Sequence, residues 1–281
     1  MQNLKHILIS LKNLFLKTGS YILVSTFLLL IAISSTVTIW NTVKDGGNSE
    51  TFSTCNTAQI KINGQLVEYK SADENTWTDE TVSSNVLVFL DNIENNPAIK
   101  AVIIEINSGG GSPIGGQNIA NALKRMSKPT IALIERQGLS SSYWLSTGAS
   151  KIYASNISDV GDIGIIQEQY QQVNKDKQDG YTYTILTSNK YKAIGSYHVA
   201  LTEDDKKLLM RDIMKMHNIF VDEVARNRHL DRNVVAKLAD GSTMMGVDAL
   251  KAGLIDELGD MFAVKNYLAG QIGEEVNTCK Y

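Results

Sequence analysis

The chain has 281 residues, of which 43% are hydrophobic and 20% charged, enough for one sizeable core with small extensions. A net charge of -3 and the absence of any block of like charge argue against a polyanionic partner, which sets nucleic-acid binding aside. There are two cysteines, without a Cys-x-x-Cys or a Cys/His cluster, so no metal site and no cofactor are expected.

Residues 1–17 carry Lys5, Lys12 and Lys17, and the first acidic residue of the chain is Asp45. Residues 18–43 hold no charge, and the apolar run from Tyr21 to Trp40 is long enough as a helix to match a hydrocarbon layer of about 30 Å, with aromatic residues at both ends. The positive-inside rule then keeps residues 1–17 in the cytoplasm and exports the chain beyond Trp40. The expected product is a single-pass protein of the plasma or inner membrane with its main domain extracytoplasmic. A cleavable signal peptide is the alternative, with Ala32-Ile33-Ser34 as a poor cleavage site that the apolar run overshoots. Residues 44–56 are polar and rich in Gly and Ser, as suits a linker, and residues 57–281 read as one α/β domain. Cys55 and Cys279 lie near the two ends of that domain. In an oxidising compartment they could form a disulfide; two unpaired thiols are the other reading.

Within the domain, Ala58 to Gly64 alternates like a first strand ending in a turn, and Glu68 to Thr81 is a polar loop. Val86, Leu87, Phe89, Leu90 and Ile93 recur at helical spacing up to the stop signal Asn95-Asn96-Pro97. Ala101 to Ile106 reads as a buried strand that empties into Asn107-Ser108-Gly109-Gly110-Gly111-Ser112-Pro113, where consecutive glycines let bare N–H groups approach a ligand. A helix from Ile114 to Met126 begins directly after them, its dipole aimed at the same spot. Thr130 to Ile134 is the next strand. It leads to the serine cluster Ser140-Ser141-Ser142 and a helix from Ser141 to Ala149, followed by a short strand Lys151 to Ala154. Val160 to Ile166 makes a third backbone turn, and Tyr181 to Thr187 alternates like a strand leading to Asn189-Lys190-Tyr191-Lys192. Thr202-Glu203-Asp204-Asp205 starts a long helix whose apolar face is Leu209, Ile213, Met216, Phe220 and Val224. Strand, glycine turn and helix recur in the order of stacked βαβ units. One strand end offers amide donors and the next offers hydroxyls, the minimal geometry for acyl transfer.

In order and spacing, four of these motifs resemble the signal peptide peptidase A family: Asn107 to Gly111, Ser140 to Trp144, Val160 to Gly164, and Tyr191-Lys192. The likeness runs from about Ala58 to Leu268 and includes a similar closing segment, Leu254 to Gly259. It implies an α/β crotonase-like fold related to the caseinolytic protease subunit, assembled as a ring-like homo-oligomer, with a Ser/Lys dyad. Ser140 would be the nucleophile and Lys192 the general base. The N–H groups of Gly111 and Ser140 would form the oxyanion hole, and Gly109, Gly110, Ser141 and Gly161 would line a peptide laid down as an added strand. Released signal peptides or other peptides are the implied substrates.

The bare residues allow that chemistry. Of four histidines, His6 precedes the apolar run, His217 and His229 sit in or just after the long helix, and His198 alone lies near Lys192. A lysine can act as base when burial lowers its pKa from about 10.4 toward neutrality. Two departures from the family pattern matter: Ser141-Ser142 replaces Gly-Gly after the nucleophile, and Asp162 stands where the family has a serine that orients the lysine. An aspartate there favours the ammonium form and opposes a free-base role. A second reading is therefore a scaffold or peptide-binding module with Asp162 and Lys192 as an ion pair. A third, acyl-thioester chemistry at the amide hole alone, is disfavoured because export separates the domain from cytosolic coenzyme A.

Overall fold

The computed structural model describes residues 55–70 and 79–281; the expected cytoplasmic segment 1–17, the apolar helix 18–43, nearly all of the linker 44–56 and most of the polar loop lie outside them. Among the described residues no helix is long and apolar enough to cross a membrane.

The core of the sheet is β1 (Thr57–Val67), β3 (Ala101–Gly111) and β4 (Thr130–Leu139), parallel neighbours in the order β1, β3, β4, followed by β5 (Lys151–Ala154) and β8 (Glu257–Leu258). Two short strands share the outer edge of β1: β2 (Glu80–Val82) pairs with its end and β9 (Thr278–Lys280) with its start. At the top of β4, β6 (Asp159–Gly161) adds in parallel and β7 (Thr243–Met245) closes on it antiparallel. Every residue from Ala101 to Ile106 is buried, because both faces of this parallel sheet are covered.

Side-chain alternation divides the strands between two cores. Ile60, Ile62, Val102, Ile104, Ile106, Ala132 and Ile134 face the large one, against α1 (Ser83–Glu94), α2 (Pro113–Arg125), α3 (Ser141–Ser146) and the end of α5 (Glu203–Arg228). Ala101, Ile103, Ile131 and Leu133 face the small one, against Val264 and Leu268 of α8 (Met261–Ile272). Burying each such Ile or Leu contributes roughly 1.5–3 kcal/mol, so strand register is firmly held where both faces are filled.

Local signals start two of the helices, the second as read. Ser112 caps α2, accepting from the Gly115 N–H at 3.1 Å, and Pro113 takes the first-turn position where no N–H is needed. Thr202 and Asp205 form a reciprocal capping box at the start of α5. Short helices α4 (Val173–Gln178), α6 (Arg232–Leu238) and α7 (Gly246–Lys251) fill the connections.

Two expectations need correction. Tyr181 to Thr187 forms no strand; its residues are exposed, and among the described residues no strand pairs with it to take up its backbone groups. The apolar face read for α5 is buried only at Phe220 and Val224: Leu209 and Ile213 are half-buried and Met216 is exposed, since among the described residues no element covers the first turns. Cys55 and Cys279 form a disulfide with a Cα–Cα distance of 5.7 Å, fastening the start of β1 to β9 and deciding between the two readings of the cysteines.

Candidate active site

The expected glycine loop and serine cluster meet where β3 and β4 end. Pairing slips between Ile106 and Ser108, after which Ser108 lies opposite Gly138. Gly110 and Gly111 adopt φ of 96° and 144°. A Cβ on Gly110 would stand 2.8 Å from the Leu139 carbonyl and from Ser140 Cβ, and one on Gly111 would stand 2.2 Å from the Leu66 carbonyl. Both positions therefore require glycine for conformation and for space. Gly109, by contrast, is exposed, with Gln137 Nε2 3.8 Å from where its Cβ would be.

Ser140 occupies the step from β4 into α3 with φ 52° and ψ -124°, an unfavourable conformation for a residue with a side chain. That step projects the side chain out of the turn while its own carbonyl starts the helix by accepting from the Trp144 N–H at 2.9 Å. The Ser140 hydroxyl makes no hydrogen bond among the described residues. Its main-chain N–H, expected as an oxyanion donor, is instead occupied: it donates to the Gly161 carbonyl at 2.9 Å, because β6 pairs with the end of β4 at Leu139 and Gly161. The next N–H, that of Ser141, belongs to the first turn of α3, where no intrahelical acceptor exists, and lies 3.1 Å from the position of a Cβ on Gly110.

The two serines that replace the family's glycines take different environments. Ser141 is buried, its hydroxyl without a hydrogen-bond partner among the described residues, packed where a Cβ on Gly116 of α2 would come within 2.9 Å of its own Cβ. Ser142 Oγ accepts from the Leu139 N–H at 2.7 Å and lies 2.7 Å from the carbonyls of both Ser108 and Leu139, the acceptors for its single proton. Ser108 Oγ in turn donates to the Gly64 carbonyl at 2.6 Å and accepts from the Gly110 N–H at 3.1 Å. The structural roles of Ser108 and Ser142 were not read from the sequence. The signal available was a pair of buried-strand ends carrying small hydroxyl residues, which ordinarily reads as plain turn chemistry.

Gly161 (φ 112°) and Asp162 (φ 51°) border the same turn, with the Asp162 N–H donating to the Ser242 carbonyl at 3.0 Å. Partial burial pushes the Asp162 carboxyl above the usual aspartate range, and no cation pairs with it among the described residues. Lys192 is not brought to the cluster: it is exposed, in a run of turns, and its side chain makes no hydrogen bond or ion pair to Ser140, to Asp162 or to any other described residue. The expected ion pair between Asp162 and Lys192 is thus absent within one chain. Lys192 sits on an arm, residues 165–201, that exposes Tyr170, Tyr181, Tyr183, Leu186, Tyr191 and Tyr197 by 42–91%. His198 lies on the same arm, its Nδ1 2.9 Å from Asp176 and its ring stacked on Tyr183 at 3.7 Å, so its contacts are internal to the arm.

The model of Peptidase family S49 matches residues 122–273, more than half of the chain. A protein named as a protease in Methanocaldococcus jannaschii is 29% identical over 241 residues, covering 85% of this chain and 78% of the relative. An Enterococcus faecium protein named as a signal peptide peptidase SppA is 28% identical over 72% of this chain, which spans 59% of that relative. Protease 4 of Haemophilus influenzae is 25% identical over 79% of this chain, which spans 35% of it. Among solved structures, a mutant of a membrane-bound stomatin-specific protease superposes with a TM-score of 0.52 at 12% identity, over 81% of this chain and 97% of that one, a likeness of fold.

Proposed function

From a chain that belongs to peptidase family S49, the family of the signal peptide peptidase A proteins, we infer a serine endopeptidase in which Ser140 is the nucleophile and Lys192 the base, with the lysine delivered by a neighbouring copy. The observation that carries this reading is the strained φ of 52° at Ser140, at the start of a helix and against a turn that only glycines can form. Strain of this kind is retained where a side chain must be presented at one spot.

In this mechanism the Ser140 hydroxyl attacks the peptide carbonyl while Lys192, as free amine, takes its proton. The developing oxyanion is received by the N–H of Gly111 and, in place of that of Ser140, the N–H of Ser141. The protonated lysine then gives its proton to the leaving amine, and water repeats the cycle on the acyl-enzyme. The exposed aromatic arm supports delivery in trans, since such an apolar surface on a lone chain calls for a partner, and a homo-oligomer supplies one. Peptide substrates would lie along the glycine turn beside Gly109, Gly110, Ser141 and Gly161. Released signal peptides are the proposed class, with the chain anchored through residues 18–43 and its domain on the extracytoplasmic side. The disulfide supports that side, as it suits an oxidising compartment.

Full-length protein should be labelled by a serine-reactive fluorophosphonate, and Ser140→Ala should not be. A mixture of Ser140→Ala and Lys192→Ala chains should regain labelling on the lysine variant's serine. Retained labelling in Ser140→Ala would remove the nucleophile assignment. The isolation of Lys192 favours one competing reading, a peptide-binding scaffold without catalysis, for which neither the wild type nor the mixture is labelled.

A further inference from the structure

We propose that Glu223 is a positioning residue for catalysis, fixing the nucleophile helix α3 against the oxyanion helix α2; this rests on the site proposed above. Glu223 is 8% exposed and lies on the buried end of α5, where Phe220 and Val224 are fully covered. Its two carboxyl oxygens are bound from two different helices. Oε2 accepts from the indole Nε1 of Trp144 at 2.9 Å and Oε1 accepts from the Gln117 amide at 2.8 Å. One turn before, Phe220 stacks on the Trp144 ring, centroids 4.3 Å apart and 7° from parallel. One turn after, Asn227 donates to Thr147 at the end of α3 at 2.9 Å and accepts from Lys124 of α2 at 2.7 Å. Positions 220, 223 and 227 thus make one stripe of α5 that grips α2 and α3 together.

The grip is close to the chemistry. Trp144 is four residues beyond Ser140, about one turn along α3, and Gln117 is six beyond Gly111, near the start of α2. The N-terminal ends of those two helices carry the hydroxyl and the main-chain donors that must converge on one carbonyl. A displacement of the order of 1 Å between them is enough to cost about a hundredfold in rate. Stability alone does not explain a carboxyl here, because a well-packed apolar side chain of similar volume serves a core at least as well as a buried polar group. What the carboxyl supplies is two acceptors in fixed geometry, each matched to a side chain that can only donate, or is turned to donate, toward it.

Amide chemistry provides the discriminating variant. In Glu223→Gln the remaining oxygen can face the Trp144 N–H, and the new NH₂ can face Gln117 once that amide turns over, so both links survive without the charge. Full-length wild type, Glu223→Ala, Glu223→Gln and Trp144→Phe should be compared for the rate constant of fluorophosphonate labelling at Ser140, kcat and KM on a peptide, and Tm. The expected result is a roughly 10- to 100-fold fall in labelling rate and kcat in Glu223→Ala with KM little changed, and Glu223→Gln within about threefold of wild type. Trp144→Phe leaves an aromatic ring to face Phe220 but removes the N–H together with part of the indole's volume, so it should fall in the same direction with some loss of Tm, and it carries the test should Glu223→Ala not fold. Folded Glu223→Ala labelling at the wild-type rate, even with a lower Tm, would overturn the proposal and leave the dyad standing. A loss in Glu223→Gln equal to that in Glu223→Ala would assign the effect to charge and overturn it too. Wild type that never labels removes the dyad, and this role with it.

Discussion

The Ser142 hydroxyl bridges the two turns of the candidate site, 2.7 Å from the Ser108 carbonyl on one side and accepting from the Leu139 N–H at 2.7 Å on the other. Where the family has glycine, this chain thus has a side chain that occupies buried backbone groups. Ser142→Ala leaves those groups unpaired, and each buried unmet partner costs about 1–3 kcal/mol. Thermal unfolding of the variant should begin several degrees below wild type, since each kcal/mol shifts Tm by about 2–4 °C at this size. An unchanged Tm would mean that water replaces the hydroxyl.

The second prediction concerns the disulfide. It closes a loop of 224 residues and holds β9 on the outer edge of β1, where Thr57 faces Thr278. The chain-entropy argument and measured losses of native disulfides together give roughly 3–5 kcal/mol for such a cross-link. The double replacement Cys55→Ser, Cys279→Ser should therefore lower the denaturation midpoint substantially while fluorophosphonate labelling of the folded fraction persists, because neither cysteine touches Ser140. Equal midpoints with and without the bond would contradict this.

Much of this architecture was legible in the chain, and for identifiable reasons. Ala101 to Ile106 is a continuous apolar run because both faces of its strand are covered, and Thr202 with Asp205 announces the start of α5 because capping chemistry is local. Tyr181 to Thr187 misled because alternation encodes two faces but not the presence of a neighbouring strand. The first turns of α5 misled likewise: their apolar stripe is real, but no element among the described residues covers it. That the Ser140 N–H donates to Gly161 was not legible, because this acceptor comes from a strand of three residues whose pairing with β4 no periodicity signals. The glycine turn and serine cluster were visible as composition; the Ser142 bridge depends on tertiary contact alone.

A third prediction comes from Arg228 and Asp256, which tie the end of α5 to β5. Arg228 binds both carboxyl oxygens of Asp256 at 2.9 Å, and the Ile152 N–H donates to one of them at 2.7 Å. Burial by itself would push the Asp256 carboxyl up, but the Arg228 hydrogen bonds and then the Ile152 N–H outweigh it, so it is held below its ordinary value. A carboxylate depressed on folding contributes stability above its unfolded pKa of about 3.9, and that contribution is lost as pH falls through the folded value. Asp256→Asn should cost roughly 3 kcal/mol near neutrality, because Arg228, only 8% exposed, is left without its anion. The gap in stability between wild type and variant should narrow as pH drops from about 5 toward 2. A gap that stays constant across that range would rule the ion pair out as its source.

The last prediction uses Asp162 to read out the base. In the single chain its carboxyl is partly buried, raised by that burial, and has no cation beside it among the described residues. If a neighbouring copy sets Lys192 at Ser140, the same lysine comes within reach of Asp162. A carboxylate within about 4–6 Å of an ammonium raises the lysine's pKa by about 1–3 units, because it favours the charged form. The free amine that accepts the serine proton then exists only at higher pH, and the rising limb of kcat/KM lies correspondingly to the alkaline side. Asp162→Ser removes the carboxylate, so the limb should move acidward by about that amount and activity at pH 7 should rise. Lys192→Ala should abolish the limb altogether. A profile for Asp162→Ser that overlays wild type would place the aspartate away from the base, and a limb that survives Lys192→Ala would assign the base to another group.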